Sequence, residues 1–171
     1  LERELNYIFL SDHGMAEIAD DRRIYLVRCT ELYPGLTYSL VGKSPVFSII
    51  PISAGDNSNS PPSSTSKTSA TTKTNSTDSG QQQQYQLEIG VRDALNDCAA
   101  KMYRNAFKVY RQDDIPEEFH YRGNERILPL FLLADDGYEV SYEEEKPGEF
   151  KTRGNHGFNN TLDSMQPLFI A

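Results

Sequence analysis

Apolar positions along the chain occur in short bursts separated by turn-forming residues. Residues 5–10, LNYIFL, form the first burst and predict a short buried strand. Residues 24–28 and 36–50 are rich in Ile, Val, Leu and Tyr. They are interrupted at Pro34-Gly35 and at Lys43-Ser44-Pro45, which predicts several strands joined by turns.

A helix is predicted in the second half of the chain. Val91, Leu95, Cys98 and Met102 are spaced four, three and four residues apart. This spacing places them on one face of a helix that spans roughly residues 88–105. Phe107 and the residues after it alternate between apolar and polar, as a half-buried strand does.

A near-continuous apolar run, RILPLFLLA at residues 126–134, predicts a buried strand. Pro129 marks the first half of this run as an edge strand or as the beginning of a strand, because proline cannot donate to the ladder. Asp135-Asp136-Gly137 stops the run, and we interpret these residues as a turn rather than as metal ligands. Strands mixed with a helix predict an α/β fold.

Residues 53–84 differ in composition from the rest of the chain. They contain nine Ser and six Thr, and Ala54 and Ala70 are their only apolar side chains. Such a segment cannot bury enough surface to offset the entropy lost on ordering. We therefore expect one domain over residues 1–171, interrupted at 53–84 by a disordered surface insertion rich in Ser, Thr and Gln.

The net charge of −8 and the isoelectric point of about 4.9 exclude one class of function. Proteins that coat DNA or RNA neutralise phosphates with Lys and Arg, and this chain is acidic. A small phosphorylated substrate remains open if a metal ion supplies the positive charge. Much of the acidity lies in residues 139–149, which we interpret as a solvated loop or hairpin. No apolar run is long enough to span a membrane.

Two cysteines and two glycosylation sequons indicate in which cellular compartment the protein could lie. Cys29 and Cys98 are either buried thiols or a single disulfide, and a disulfide would fit a secreted protein. Asn75 and Asn159 begin N-x-Ser/Thr triplets, which are glycosylated only in the secretory pathway.

Two of the three histidines share a local sequence. His13 lies in Asp12-His13-Gly14 and His156 lies in Asn155-His156-Gly157, whereas His120 has no such setting. A following glycine lets the backbone turn sharply and direct the imidazole into a cleft. Carboxylate and imidazole are ligands of hydrolytic zinc, and ligands gather beyond the carboxyl ends of strands in α/β sheets. The pattern therefore indicates a metal site, although a histidine taken singly is more often structural.

Three blocks in order carry a resemblance to a known family. They are SDHGM at 11–15, IPEEFHYRGNERILPLFLLADDGYEV at 115–140 and GNHGFNNTLDSMQPLFIA at 154–171. Together they resemble the nucleotide pyrophosphatase/phosphodiesterase family of ectoenzymes, which belongs to the alkaline-phosphatase-like superfamily. The resemblance implies a mixed sheet flanked by helices. It also implies that the chain is the C-terminal portion of a catalytic domain.

For the site, the resemblance implies two zinc ions. Asp12 and His13 would bind the first ion and His156 the second, so these three residues should converge in space although the sequence separates them. The threonine nucleophile and the remaining ligands would lie upstream of Leu1, so this fragment alone should be inactive. His120 would have a structural role.

The implied activity is hydrolysis of phosphodiester or pyrophosphate bonds in extracellular nucleotides. The protein would lie outside the cell or at its surface, with any membrane anchor outside this fragment. Two alternatives stay open: a phosphodiesterase acting on choline phospholipids, and a truncated or inactive family member that serves as a folded binding domain.

Overall fold

The computed structural model describes residues 6–53, 77–146, 149 and 151–170. The strands are β1 (Phe9–Leu10), β2 (Ala16–Glu17), β3 (Arg23–Tyr25), β4 (Tyr38–Lys43), β5 (Val46–Pro51), β6 (Phe107–Arg111), β7 (Leu130–Ala134), β8 (Glu139–Ser141), β9 (Gly154–Asn155) and β10 (Phe169–Ile170). The helices are α1 (Val27–Leu32) and α2 (Thr77–Met102), with 3-10 turns at Gln112–Asp114, Glu117–Phe119 and Asp163–Met165.

A four-stranded antiparallel sheet in the order β4-β5-β7-β6 supports the core. The apolar run at 126–134 supplies β7, whose Leu130 and Leu132 are fully buried. Pro129 directly precedes β7, so its missing N–H does not interrupt the ladder and the strand lies inside the sheet rather than at its edge. The predicted turn follows, with the Tyr138 N–H donating to the Asp135 carbonyl over 3.1 Å.

Helix α2 packs its predicted apolar face on this sheet. Val91, Leu95 and Cys98 are buried, as predicted. Met102 is 43% exposed, so the prediction that it belongs to the same buried face is wrong. The Asn96 side chain fixes the packing by donating to the carbonyl of Val109 over 2.9 Å and accepting from its N–H over 2.8 Å. Spacing alone could not show that the last position of this face is open to solvent.

The start of α2 corrects one boundary of the predicted insertion. The helix begins at Thr77, eleven residues before the predicted start, so residues 77–84 are helical rather than disordered. Gln is a good helix former, and adding residues to an existing helix costs far less than starting a new one. The run Gln81–Gln84 can therefore be helical while its side chains stay exposed. Residues 54–76, including Asn75, lie outside the described residues, and their disorder stays a prediction.

Helices α1 and α2 are joined covalently. Cys29 of α1 and Cys98 of α2 form a disulfide with their Cα atoms 5.6 Å apart. Both cysteines are fully buried in the core. The bridge closes a loop of 69 residues in sequence that contains β4, β5 and the polar insertion.

The acidic segment is not simply a solvated loop. Strand β8 pairs in parallel with β3, which brings residues 144–145 beside Arg23 of β3 and Arg28 of α1. Glu145 accepts from Arg23 over 2.9 Å, and these side chains are only 14% and 5% exposed. Glu144 pairs with Arg28 over 2.6 Å at the surface. The acidic run thus neutralises arginines that are distant in sequence, which composition could not reveal.

The prediction of a buried strand at residues 5–10 is wrong for the described part of that segment. The strand is limited to Phe9–Leu10, which pairs antiparallel with Phe169–Ile170. The Phe9 and Leu10 side chains are 60% and 69% exposed. Apolar sequence indicates a tendency to be buried, but a two-stranded ribbon without a second layer leaves both of its faces open. In the described ranges, no helix is long and apolar enough to cross a membrane.

Candidate functional site

Strand pairing brings His13-Gly14 and His156-Gly157 together. β2 follows His13-Gly14 and β9 precedes His156-Gly157, with Ala16 opposite Asn155 in an antiparallel register. As a result, the imidazole rings of His13 and His156 stack with centroids 3.7 Å apart and planes 14° from parallel. The predicted convergence of these segments is confirmed.

The ring nitrogens of His13 have distinct environments. Nδ1 lies 2.7 Å from the carbonyl oxygen of Gly14. Because a carbonyl oxygen only accepts, Nδ1 carries the proton, and in the neutral imidazole Nε2 then presents a lone pair. Nε2 lies 3.3 Å from Oδ2 of Asp12, so two electron-rich atoms face each other. A shared cation or proton would relieve this contact.

The Asp12–His13 pair fits a tetrahedral metal ion. Ligands bound to zinc at about 2.0–2.2 Å lie about 3.3 Å apart along a tetrahedral edge, which is the observed Nε2–Oδ2 separation. Metal-bound histidines usually donate their other ring N–H to a carbonyl or carboxylate, as His13 does to Gly14. The Asp12 side chain is 85% exposed, so its oxygens are accessible to an ion.

The stacked rings of His13 and His156 are not arranged to bind one metal ion together. The nitrogen lone pairs of an imidazole lie in the plane of its ring. Since the two ring planes are nearly parallel and stacked at 3.7 Å, their lone pairs cannot meet at one ion. The geometry instead suits two neighbouring ions, one in each plane. Among the described residues, no three His, Cys, Asp or Glu side chains lie close enough to hold a single metal ion.

The glycines after the two histidines are needed for different reasons. Gly157 has φ of +90°, a left-handed conformation that side chains disfavour. Gly14 is needed for close approach instead, because a Cβ there would lie 1.9 Å from the backbone oxygen of Ser164. The Gly14 N–H also donates to the carbonyl of Met165 over 3.0 Å. The segment around His13 therefore packs directly against Ser164 and Met165, which follow His156 in the chain.

Other residues considered from the sequence lie in local structure. His120 is exposed and ends the 3-10 turn Glu117–Phe119 with φ of +49°. Asp135 belongs to the turn after β7, where burial raises the pKa of its carboxyl. Asp136 accepts from the hydroxyl of Ser164 over 3.1 Å. None of these residues contributes to the His13–His156 stack.

The side chain of Asn159, the first residue of the second sequon, forms hydrogen bonds within the sequon itself. Its Oδ1 accepts from both the N–H and the hydroxyl of Thr161, each over 2.9 Å. Its glycosylation stays a prediction.

Sequence reasoning missed Asn155 and Glu139. Asn155 donates to Oε2 of Glu139 over 3.0 Å and accepts from the N–H of His156 over 2.9 Å. The available signal was that Asn155 precedes its His-Gly pair as Asp12 does.

A family model described as type I phosphodiesterase / nucleotide pyrophosphatase matches residues 1–159. Bis(5'-adenosyl)-triphosphatase enpp4 of Xenopus laevis is 35% identical over 167 residues, which are 98% of this chain and 27% of that protein. Human ectonucleotide pyrophosphatase/phosphodiesterase family member 5 is 28% identical over 167 residues, which are 98% of this chain and 26% of that protein. The chain thus spans about a quarter of the length of the curated relatives that it matches.

Solved structures show the same likeness. Human ectonucleotide pyrophosphatase/phosphodiesterase 5 has a TM-score of 0.61 and 27% identity, and the match covers 95% of this chain and 32% of that one. An inactive form of the murine protein, solved in complex with AMP, has a TM-score of 0.60 and 28% identity over the same shares. The expected mixed α/β, alkaline-phosphatase-like fold is confirmed. The chain belongs to the type I phosphodiesterase / nucleotide pyrophosphatase family.

Proposed function

We propose that this chain is the C-terminal part of the catalytic domain of a zinc-dependent phosphodiesterase that hydrolyses phosphodiester or pyrophosphate bonds in extracellular nucleotides. The observation that carries the proposal is the stacking of His13 on His156, with Asp12 at the edge of the stack. The distance of 3.7 Å between the ring centroids resembles the spacing of about 3.5–4 Å between the ions of two-metal hydrolytic sites.

In this proposal, Asp12 and His13 hold one zinc ion and His156 holds the other. The two ions, when bound, would stabilise the negative charge on the attacking and leaving oxygens at phosphorus. The chain's own contribution is orientation. The Gly14 carbonyl keeps the proton on Nδ1 of His13 and so leaves Nε2 free to act as a ligand. The threonine nucleophile and the remaining ligands would lie upstream of Leu1.

The relatives support a nucleotide substrate. One is named a bis(5'-adenosyl)-triphosphatase, and the murine neighbour was solved with AMP. A location outside the cell or at its surface is supported by the Cys29–Cys98 disulfide, since such bonds persist in oxidising compartments. Any membrane anchor would lie outside this fragment.

A choline phospholipid substrate and a non-catalytic role are the alternatives. The full-length transcript separates the second of these from the proposal. It should encode a threonine at a strand-to-helix turn and further Asp and His ligands before Leu1, and their absence would favour a binding domain.

The test of the proposed function compares three histidine variants in the full-length protein. His13→Ala and His156→Ala should each lower the zinc content. Each should also slow the release of p-nitrophenol from a thymidine monophosphate ester by several orders of magnitude, because the metal ions carry most of the charge stabilisation. His120→Ala is the matched control and should leave zinc per folded molecule unchanged.

The two ligand variants should fail at different steps. The threonine nucleophile would form a covalent intermediate by taking up the nucleotidyl group of the substrate. Loss of His13 disturbs the ion expected beside that threonine, so the intermediate should not form. Loss of His156 should mainly slow the hydrolysis of that intermediate. If His156→Ala keeps wild-type zinc and activity while His120→Ala loses both, the assignment is wrong and His120 takes its place.

A further inference from the structure

The Asn155 side chain is fully committed to protein partners. Its Nδ2 group donates to the Ser44 carbonyl and to Oε2 of Glu139, each over 3.0 Å. Its Oδ1 atom accepts from the N–H of His156 over 2.9 Å. An asparagine amide has two N–H donors and one carbonyl oxygen, so each of these groups has a partner.

The partners of Asn155 are themselves held by hydrogen bonds to other segments. Glu139 begins β8, and its N–H donates to the carbonyl of Arg22 over 3.0 Å. Ser44 lies between β4 and β5, and its hydroxyl accepts from the N–H of Val140 over 3.0 Å. Asn155 therefore connects the backbone of His156 to two segments that are distant in sequence.

The same local bond occurs at the other histidine, with a different chemical consequence. The N–H of His13 donates to Oδ1 of Asp12 over 3.1 Å, as that of His156 does to Asn155. Asp12 is largely exposed and keeps its second oxygen towards the imidazole, where an ion can reach it. Asn155 is partly buried, and its amide nitrogen faces a carboxylate instead. The two positions thus share a backbone role, but only Asp12 is available as a ligand.

We propose that Asn155, held by Glu139 and Ser44, is a positioning residue that sets the orientation of His156 against His13. β9 ends at Asn155, so beyond that residue the sheet no longer directs the chain. The bond from the His156 N–H to the Asn155 side chain fixes the peptide plane from which the imidazole projects. A neutral amide is required because a carboxylate at position 155 would face that of Glu139 across about 3 Å.

Asn155→Asp and a compensating double variant test this role. Asn155→Asp keeps an acceptor for the His156 N–H but sets two carboxylates against each other. In Asn155→Asp/Glu139→Gln, the amide introduced at position 139 can donate to the carboxylate introduced at position 155. Asn160→Asp is the matched control, because it makes the same charge change at an exposed site nearby.

The first readout is independent of zinc. In crystal structures of the metal-free full-length protein, wild type and Asn160→Asp should retain the 3.7 Å stack of His13 on His156. Asn155→Asp should lose the stack, and the double variant, which relieves the clash at position 139 but not the one with the Ser44 carbonyl, should regain it in part. A stack that survives in Asn155→Asp would overturn the proposal, and so would a double variant no better than the single one.

The second readout rests on the proposed function. Competition with a chromophoric chelator should show that Asn155→Asp weakens zinc binding by about 10–100-fold, as loss of a ligand's supporting hydrogen bonds typically does. The double variant should recover part of this loss, because it relieves only the clash at position 139, and Asn160→Asp should show none. Unchanged zinc affinity in Asn155→Asp would contradict the role. If wild type binds no zinc, the proposed function fails while the crystallographic result still decides the positioning role.

Glu139→Ala provides the test should Asn155→Asp not fold. It removes one of the three Asn155 contacts and leaves the other two. A disordered or displaced His156 ring in its metal-free crystal structure is the expected result. An unmoved ring would overturn the role of Glu139 in holding Asn155.

Discussion

Removing the Cys29–Cys98 disulfide should destabilise the protein more than any single surface change. The bridge joins residues 69 apart in sequence. In the chain-entropy treatment, a loop of this length corresponds to about 4 kcal/mol of stabilisation through restriction of the unfolded chain. Domains are stable by only about 5–15 kcal/mol, so Cys29→Ala/Cys98→Ala should leave folding marginal. The lost packing of two buried sulfurs adds to the effect.

Urea unfolding followed by circular dichroism measures this effect in the full-length protein. The loop length supplies an internal control. Deleting residues 54–76 shortens the loop by about a third, which should reduce the disulfide's contribution by only about 0.4 kcal/mol. The double cysteine variant should therefore lose nearly the same free energy with and without those residues. A loss below about 1 kcal/mol in either background would refute the entropic reasoning.

Three further predictions concern stability. Tyr103→Phe should cost about 1–3 kcal/mol in urea unfolding because it leaves the N–H and carbonyl of Tyr25 without their partner. Tyr38→Phe removes a buried hydroxyl that has no partner among the described residues and should cost nothing, so equal losses would contradict this reasoning. Deleting residues 54–76 alone should change the unfolding free energy by less than about 1 kcal/mol, and a larger loss would mean that the segment packs. Burial raises the pKa of Asp135 above its ordinary 3.8, so Asp135→Asn should be more stable than wild type above the folded-state pKa and equal to it below pH 3.8; an advantage that persists in acid would contradict this.

The sequence revealed features that depend on local spacing or on residue chemistry. Val91, Leu95 and Cys98 were predicted as one helical face because helix geometry alone sets their spacing. The turn at Asp135 followed from turn chemistry. His13 and His156 were selected because each precedes a glycine and lies in a block that resembles a known family; the structure brings their rings together, and their metal binding stays a prediction.

Features that depend on distant contacts could not be predicted. The buried pair of Arg23 and Glu145 exists only because β3 and β8 lie in parallel register. The exposure of Phe9 depends on which layers surround its strand. The role of Asn155 depends on Ser44, between β4 and β5, and on Glu139, at the start of β8.

The central claim is that Asp12 and His13 hold one zinc ion and that His156 holds a second. Anomalous diffraction at the zinc edge from crystals of the full-length protein tests it most directly. The account predicts two anomalous peaks about 3.5–4 Å apart, one beside the Asp12 and His13 side chains and one beside His156. A single peak shared by both histidines, or peaks that avoid all three residues, would contradict it.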